Sequence, residues 1–143
     1  MKFDNYMILE FPSKSCNEAF ARSAVSCFAA QMDPTIEELG DIRTAVSEAV
    51  TNAIVHGYPN GLGLITLRCR ILKDHVLDIV IKDKGVGIAD VEQARKPMFT
   101  TGGCDRSGMG FTIMESFMTD VHITSEEGKG TTVHMRRKLQ RKK

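Results

Sequence analysis

The chain has no tryptophan, and no apolar run in it approaches the roughly 18 residues that a membrane-spanning helix needs. Met1-Lys2-Phe3-Asp4 is not the basic-then-apolar layout of a secretory signal, so a cytoplasmic location is expected. The four cysteines, Cys16, Cys27, Cys69 and Cys104, include no C-x-x-C pair. That spacing argues against structural zinc and against a disulfide framework, and it fits a reducing compartment. Internal repeats, low-complexity stretches and long linkers are also missing, so residues 1–143 read as one domain with a core of its own. Two common nucleotide signatures fail as well. A P-loop needs a hydroxyl residue directly after its lysine, whereas Gly128-Lys129-Gly130-Thr131 puts glycine there. A dinucleotide fingerprint needs G-x-G-x-x-G after the first strand of a βαβ unit, and nothing supplies it.

What is present is balanced in charge but uneven in placement. The net charge is +1. Residues 136–143 hold six basic side chains and no acid, which leaves 13 basic against 18 acidic over residues 1–135, a net of −5. A basic tail of that kind suits an acidic partner or nucleic acid, but a solvated, frayed terminus is the simpler expectation. The mildly acidic remainder argues against direct nucleic-acid binding as the main activity.

Hydrophobic periodicity and turn chemistry give an order of elements. Residues 5–11 read as a strand. A helix follows over 17–32, stopped by Asp33-Pro34 because proline disfavours a helical residue before it. Thr35-Ile36-Glu37-Glu38 is a capping-box pattern, and the helix it opens runs to Gly57, with Pro59-Asn60-Gly61 turning the chain. Ile65, Leu67, Cys69 and Ile71 alternate with Leu64, Thr66, Arg68 and Arg70 as a half-buried strand. Lys73-Asp74 then turns it into a nearly all-apolar partner over 76–81. A glycine- and threonine-rich loop over 84–110 carries a short helix near 89–95. A helix over 110–118 follows, then strands over 121–125 and 131–136. The order implies an α+β sandwich, a mixed β-sheet with helices layered on one face and a mobile lid.

Three clusters carry chemistry. On the second helix, Glu48, Asn52 and His56 recur every four residues beside a buried stripe of Ile42, Val46, Ala49 and Ala53. An acid and a carboxamide one turn apart can point into one cleft, with Asn52 offering an oxygen to Mg²⁺ and Glu48 a base for an attacking hydroxyl or water. The same pair also suits an ordinary solvated helix edge. Asp83-Lys84-Gly85-Val86-Gly87 ends an apolar strand. There Asp83 can accept from an exocyclic amine while the glycines let a flat ring approach, or the segment is a plain Asp/Gly turn. Ser107-Gly108-Met109-Gly110-Phe111 opens a helix whose amides and dipole favour phosphate. Before it, Met98 to Gly103 has the small and hydroxyl residues of a flap. Alone, each cluster stays ambiguous.

Together, E-x-x-x-N on a helix, D-x-G-x-G after a strand and G-x-G opening a later helix resemble the N, G1 and G2 boxes of the GHKL (Bergerat-fold) superfamily, which includes gyrase-type ATPases, Hsp90, histidine kinases and MutL. Residues 47–58 and 106–115 are similar to its anti-sigma factor serine kinase branch, and the resemblance covers nearly the whole chain. It implies a protein that binds Mg·ATP, holds a sporulation sigma factor inactive, phosphorylates a serine on an anti-anti-sigma factor and forms a homodimer. By the same resemblance Glu48 is the general base and Asn52 the Mg²⁺ ligand, with Asp83 reading the adenine amine. Gly108 and Gly110 hold phosphates; His56, Gly85, Gly87, Thr101, Ser107 and Met109 complete the ATP site. Thr132 supports Asp83 through the adenine pocket, and Arg22 and Arg106 meet protein partners.

Residue chemistry alone leaves the phosphoryl acceptor open, because one base can serve water or a partner's hydroxyl and the acceptor is whatever docks at the cleft mouth. An ATPase and a nucleotide-regulated binding module without turnover therefore stand beside the kinase. A histidine-kinase reading is weaker, since His56, His75, His122 and His134 all lie within the domain and no preceding dimerisation helix offers an acceptor histidine.

Overall fold

A computed structural model describes residues 3–88 and 110–140. The described elements are β1 (Phe3–Pro12), α1 (Asn17–Ala29), α2 (Ile36–Asn52), β2 (Leu64–Leu72), β3 (Val76–Asp83), α3 (Gly110–Phe117), β4 (Asp120–Glu126) and β5 (Gly130–Lys138). The short helix expected near 89–95 and most of the glycine-rich loop lie outside the described residues.

The strands form one sheet in the order β1-β2-β3-β5-β4, with α1 against α2 and α2 against α3 as a single helical layer. The sandwich with helices on one face is as expected. The sheet was expected to be mixed, yet all four described pairings are antiparallel. The reason lies in the order: β3 and β4 run the same way and are joined through α3, but β5 inserts between them, so the parallel pair never shares a ladder. Period-two alternation sorts the side chains. Ile65, Leu67, Cys69, Leu77, Ile79, Ile81, Val133 and Met135 turn inward against Ala21, Val25, Ile42, Val46, Ala49, Val50 and Met114, all of them buried.

Local signals set the ends of α2, the element that carries the site. Thr35 Oγ1 accepts from the Glu38 N–H at 3.0 Å and Glu38 Oε1 accepts from the Thr35 N–H at 2.9 Å, the reciprocal capping box. Glu38 Oε2 also takes the Gln140 N–H at 2.8 Å, which fastens the chain after β5 to the start of α2. Helix α1 ends where expected, through a 3₁₀ turn at Ala30–Met32 and a left-handed Asp33 with φ 52°. Helix α2 does not run to Gly57 as an α-helix. It ends at Asn52, and Ala53–Gly57 is a π turn.

The stretch expected to fray is partly built into the sheet. Arg136, Arg137 and Lys138 are the last residues of β5. The Arg137 guanidinium donates to Asp41 at 2.8 Å and to the Phe117 carbonyl, and Leu139 is buried. A carboxylate on α2 and a backbone carbonyl on α3 thus hold a segment that composition alone marks as solvated.

On the sheet face away from the helices, Asp78 is fully buried beneath Arg70 and Arg136, its register partners on either side. Arg70 Nε donates to it at 3.1 Å, Arg136 Nε at 2.9 Å, and His134 contacts the same carboxylate. Burial pushes the Asp78 pKa up, but hydrogen bonds from His134, Arg136 and Arg70 outweigh it and hold the carboxyl below its usual 3.8. A depressed carboxyl contributes stability that is present above its unfolded pKa and is lost as pH falls through the lower folded value. Its partners are 17–38% exposed, so solvent screens part of the attraction. Asp78→Asn should therefore cost about 1–3 kcal/mol at neutral pH. It should also flatten the loss of wild-type stability below about pH 4. Urea unfolding of both proteins at pH 7 and near pH 3 checks this: equal differences at the two pH values would contradict it.

Candidate functional site

The last turn of α2 is where the three motif clusters meet. Ile42, Val46, Ala49 and Ala53 are buried against the core, which fixes the rotation of the helix. Glu48 and Asn52 are then held half-buried along its edge, and His56 occupies the π turn, also half-buried. Helix α3 begins directly over that edge. A Cβ added at Gly110 would lie 2.9 Å from Asn52 Nδ2 and 3.2 Å from Glu48 Oε2, so a larger residue there would displace the ends of both side chains.

One turn further on, the same helix touches the end of β3. A Cβ at Gly57 would stand 2.9–3.1 Å from the Asp83 carboxyl, and the Val86 N–H donates to the Gly57 carbonyl at 2.9 Å. π turns of this kind commonly occur at functional positions in helices; here the turn delivers Gly57 to β3. Glu48 and Gly57 are roughly 13 Å apart along the axis at 1.5 Å per residue. One helix end thus carries Glu48 and Asn52 against Gly110 and, further on, Gly57 against the Asp83 carboxyl.

Asp83 is 5% exposed. Burial raises its pKa, although backbone N–H groups of Gly85 and Thr131 hydrogen-bond it and pull the other way; the Gly85 bond is 2.9 Å. The chain beyond Asp83 is held on both sides. The Lys84 N–H donates to the Tyr58 hydroxyl at 2.7 Å, and that hydroxyl donates to the Leu64 carbonyl at 2.7 Å. The Gly128 N–H donates to the Val86 carbonyl at 2.7 Å. Gly87 has a positive φ of 75°, the left-handed conformation that glycine adopts without strain.

The structure thus brings together Glu48, Asn52 and Gly110 at one end, and Asp83, Gly85 and Gly87 at the other, along a single helix end that also carries His56. It does not bring Thr132 to Asp83. Thr132 pairs with Lys82 in the β3–β5 ladder, and Thr131 pairs with Asp83. Alternation therefore puts Thr132 on the open face and Thr131 beside the site. The sequence held the signal: counting back by twos from the core residues Val133 and Met135 lands on Thr131. Tyr58 and Ser125 were missed because their roles are hydrogen bonds across distant turns. Arg22 sits on α1 with Glu18 at 3.6 Å. Thr101, Arg106, Ser107, Gly108 and Met109 lie outside the described residues.

No three His, Cys, Asp or Glu side chains converge on a possible metal position among the described residues. Mg²⁺ bound with a nucleotide needs no such cage, since it takes most of its ligands from phosphates and water and one or two from the protein. A single neutral oxygen on Asn52, beside the Glu48 carboxylate, fits that requirement.

Comparison with known proteins identifies the family and the fold. Residues 11–137 match the histidine kinase-like ATPase domain family. The chain is 55% identical over 136 residues to an anti-sigma F factor of Caldanaerobacter subterraneus, covering 94% of each. It is 50% identical over 143 residues to one of Geobacillus thermodenitrificans, covering 97% of this chain and 96% of that one. Among solved structures, the RsbU and RsbW domains of a Mycobacterium tuberculosis protein superpose with a TM-score of 0.71 at 18% identity, over 97% of this chain and 34% of that one. The histidine kinase domain of a blue-light activated kinase from Erythrobacter litoralis gives 0.59 at 21% identity, over 85% and 60%. These two likenesses concern the fold alone.

On the reading that Asp83 accepts from the base of a bound nucleotide, Asp83→Asn should weaken ATP and ADP together, because both carry that base. A mismatched buried polar group costs about 1–3 kcal/mol, or roughly ten- to hundredfold in affinity. Calorimetric titration with each nucleotide, alongside thermal unfolding to show an intact fold, reads this out. Unchanged ADP affinity would remove Asp83 from the base contact.

Proposed function

The chain belongs to the histidine kinase-like ATPase family and, at half or more identical residues over nearly its whole length, to the anti-sigma F factors within it; on that footing we propose that it is a Mg·ATP-dependent serine kinase that inhibits a sporulation sigma factor. Its phosphoryl acceptor is a serine of an anti-anti-sigma factor. The observation that carries the reading is the double contact of one helix end, with Glu48 and Asn52 against Gly110 and Gly57 against Asp83. A nucleotide laid along that end has its base at Asp83 and its phosphates at the start of α3.

The roles follow from position. Asp83 accepts from the base amine. The amides at the start of α3, with the helix dipole behind them, favour the phosphates. Asn52 is the protein oxygen for Mg²⁺, which when bound neutralises phosphate charge. Glu48 stands one helical turn from Asn52 on the same edge and takes the proton of an incoming hydroxyl. The enzyme's work is then mostly positioning, so the docked partner selects the acceptor. Thr101, Ser107, Gly108 and Met109 remain part of the proposed ATP site by resemblance, and Arg22 and Arg106 of the partner surface. A homodimer is supported by Tyr6 and Ile8, left 53% and 54% exposed on the sheet face opposite the helices. A cytoplasmic location agrees with the lack, among the described residues, of any helix long and apolar enough to cross a membrane.

Incubation with γ-labelled ATP, with and without the anti-anti-sigma factor, tests the reading by scoring phosphoserine against free phosphate. Label on the partner's serine is expected. Free phosphate alone would make the protein an ATPase, and no turnover at all a nucleotide-regulated binding module. In the same assay Glu48→Gln should keep ATP binding and lose about 10²- to 10⁴-fold in transfer rate, since an amide keeps the shape but takes no proton. Transfer at the wild-type rate would show that Glu48 is not the base.

A further inference from the structure

Arg137 stands at the far end of α3 from Gly110, yet it ties together the two helices that meet there. Strand parity puts it on the helix side of β5, in step with the core residues Val133 and Met135. One guanidinium nitrogen, Nη1, donates to the Asp41 carboxylate of α2 at 2.8 Å and also to the Phe117 carbonyl of α3. That carbonyl closes α3, where the last carbonyls lack partners within the helix and the dipole favours a cation. The chain leaving α3 is fixed to the same strand. The Thr119 N–H donates to the Arg136 carbonyl at 2.8 Å, and the Lys138 N–H donates to Thr119 Oγ1 at 2.9 Å.

Helices α2 and α3 run antiparallel, since α3 starts against Glu48 and Asn52 and ends, through Arg137, at Asp41. At 1.5 Å per residue, Asp41 to Glu48 along α2 and Phe117 to Gly110 along α3 are each roughly 10 Å. The Arg137 bridge and the Gly110 approach are therefore the two ends of one short helix pair. Between them Phe111, Met114 and Met118 are buried in the core. Apolar contacts are individually weak and non-directional, so they set the distance between two helices better than their slide. A guanidinium shared between a carboxylate and a carbonyl is directional, and it fixes the slide. At the other end a Cβ on Gly110 would come within 2.9 Å of Asn52, so a slide of α3 changes how its first turn faces Asn52 and Glu48.

We infer that Arg137 is a positioning residue for the phosphate end of the site, holding α3 in register with α2 so that its first turn stays over Glu48 and Asn52. It acts along the length of α3, remote from every group assigned to the nucleotide. A small misplacement carried over such a distance is enough to matter, since a shift of about 1 Å at reacting groups can cost roughly a hundredfold in rate. The inference rests on the reading above that phosphates lie at the start of α3.

The test uses the full chain as wild type, Arg137→Gln, Arg137→Lys and Asp41→Asn, with Ile79→Val, a core change on β3, as the stability control. Amide spectra of the free proteins report the register of α3, and calorimetric titration with Mg·ADP reports the phosphate end. Arg137→Gln should shift the Gly110 and Phe111 amides, leave Gly85 unmoved, and weaken Mg·ADP roughly tenfold through misaligned charge-assisted bonds. Arg137→Lys still carries three donors on one nitrogen and should hold affinity within about threefold of wild type. A purely structural arginine would lower the unfolding temperature as Ile79→Val does and leave both the Gly110 amide and the Mg·ADP affinity alone. That result in Arg137→Gln overturns the inference, as does equal movement of Gly85 and Gly110, the mark of a general loosening. Should Arg137→Gln fail to fold, Asp41→Asn decides: the same amide shifts and weaker Mg·ADP are expected, and wild-type values of both overturn it. Wild type that binds no Mg·ADP would bring down the nucleotide reading and the inference with it, whereas wild type that binds keeps the two failures apart.

Discussion

The approach of Gly57 to Asp83 is the contact on which the groove depends. A Cβ at Gly57 would sit within about 3 Å of all three atoms of the carboxyl group, so a larger residue must displace either the Asp83 side chain or the end of α2. The consequences spread in both directions along the helix. Toward the C-terminal end, the Gly57 carbonyl is placed to accept from Val86 and the Tyr58 hydroxyl from Lys84, which shapes the loop after Asp83. Toward the N-terminal end, the same docking sets the height at which Asn52 and Glu48 meet Gly110. One close backbone approach thus holds three separated sequence motifs in a common frame.

Strand β3 shows how alternation separates structural from functional charge. It carries two buried aspartates, Asp78 and Asp83, five residues apart and on opposite faces. Asp78 lies among guanidinium groups and an imidazole, which stabilise its charge and occupy both of its oxygens. Asp83 has no such cation among its pKa-shifting partners, only backbone N–H groups, and burial raises its pKa. A carboxylate whose ionised form is under-compensated is one that a donor on a ligand can stabilise, and such shifts concentrate at functional sites. Charge neutralisation thus marks Asp78 as architecture, whereas Asp83 is left with backbone donors alone, as the proposed base contact requires.

Local chemistry made the α2 N-terminus and the Asp33 stop legible in the sequence, because a capping box and a proline act within four residues. The strands of β2 and β3 were legible through alternation and an apolar run. The π turn was not, since it depends on where β3 arrives, which no local pattern encodes. The mixed sheet was expected from the element order, but inserting β5 between β3 and β4 is a tertiary choice that leaves no trace in either strand. The basic stretch from Arg136 misled for a related reason: its partners, Asp78, Asp41 and Phe117, are far away in the chain. At the site, residue spacing singled out Glu48, Asn52, Asp83 and Gly110, which the fold brings to one helix end. It missed Thr131 by one position, where adjacent threonines make composition blind and only strand parity decides.

The central claim is that nucleotide lies along the end of α2 between Asp83 and Gly110. A different concave region of about 450 Å³, lined by Lys73, Asp74, Arg136 and Lys138 among others, lies at the opposite end of β3 and offers basic groups to an anion. Amide chemical-shift mapping during a Mg·ADP titration distinguishes the two. Binding along the helix end moves the amides of Asn52, Gly57, Asp83, Gly85, Gly110 and Thr131 together, with a single affinity. Shifts confined to Lys73, Asp74, Arg136 and Lys138, with the α2 end unmoved, would place the nucleotide elsewhere and contradict the claim.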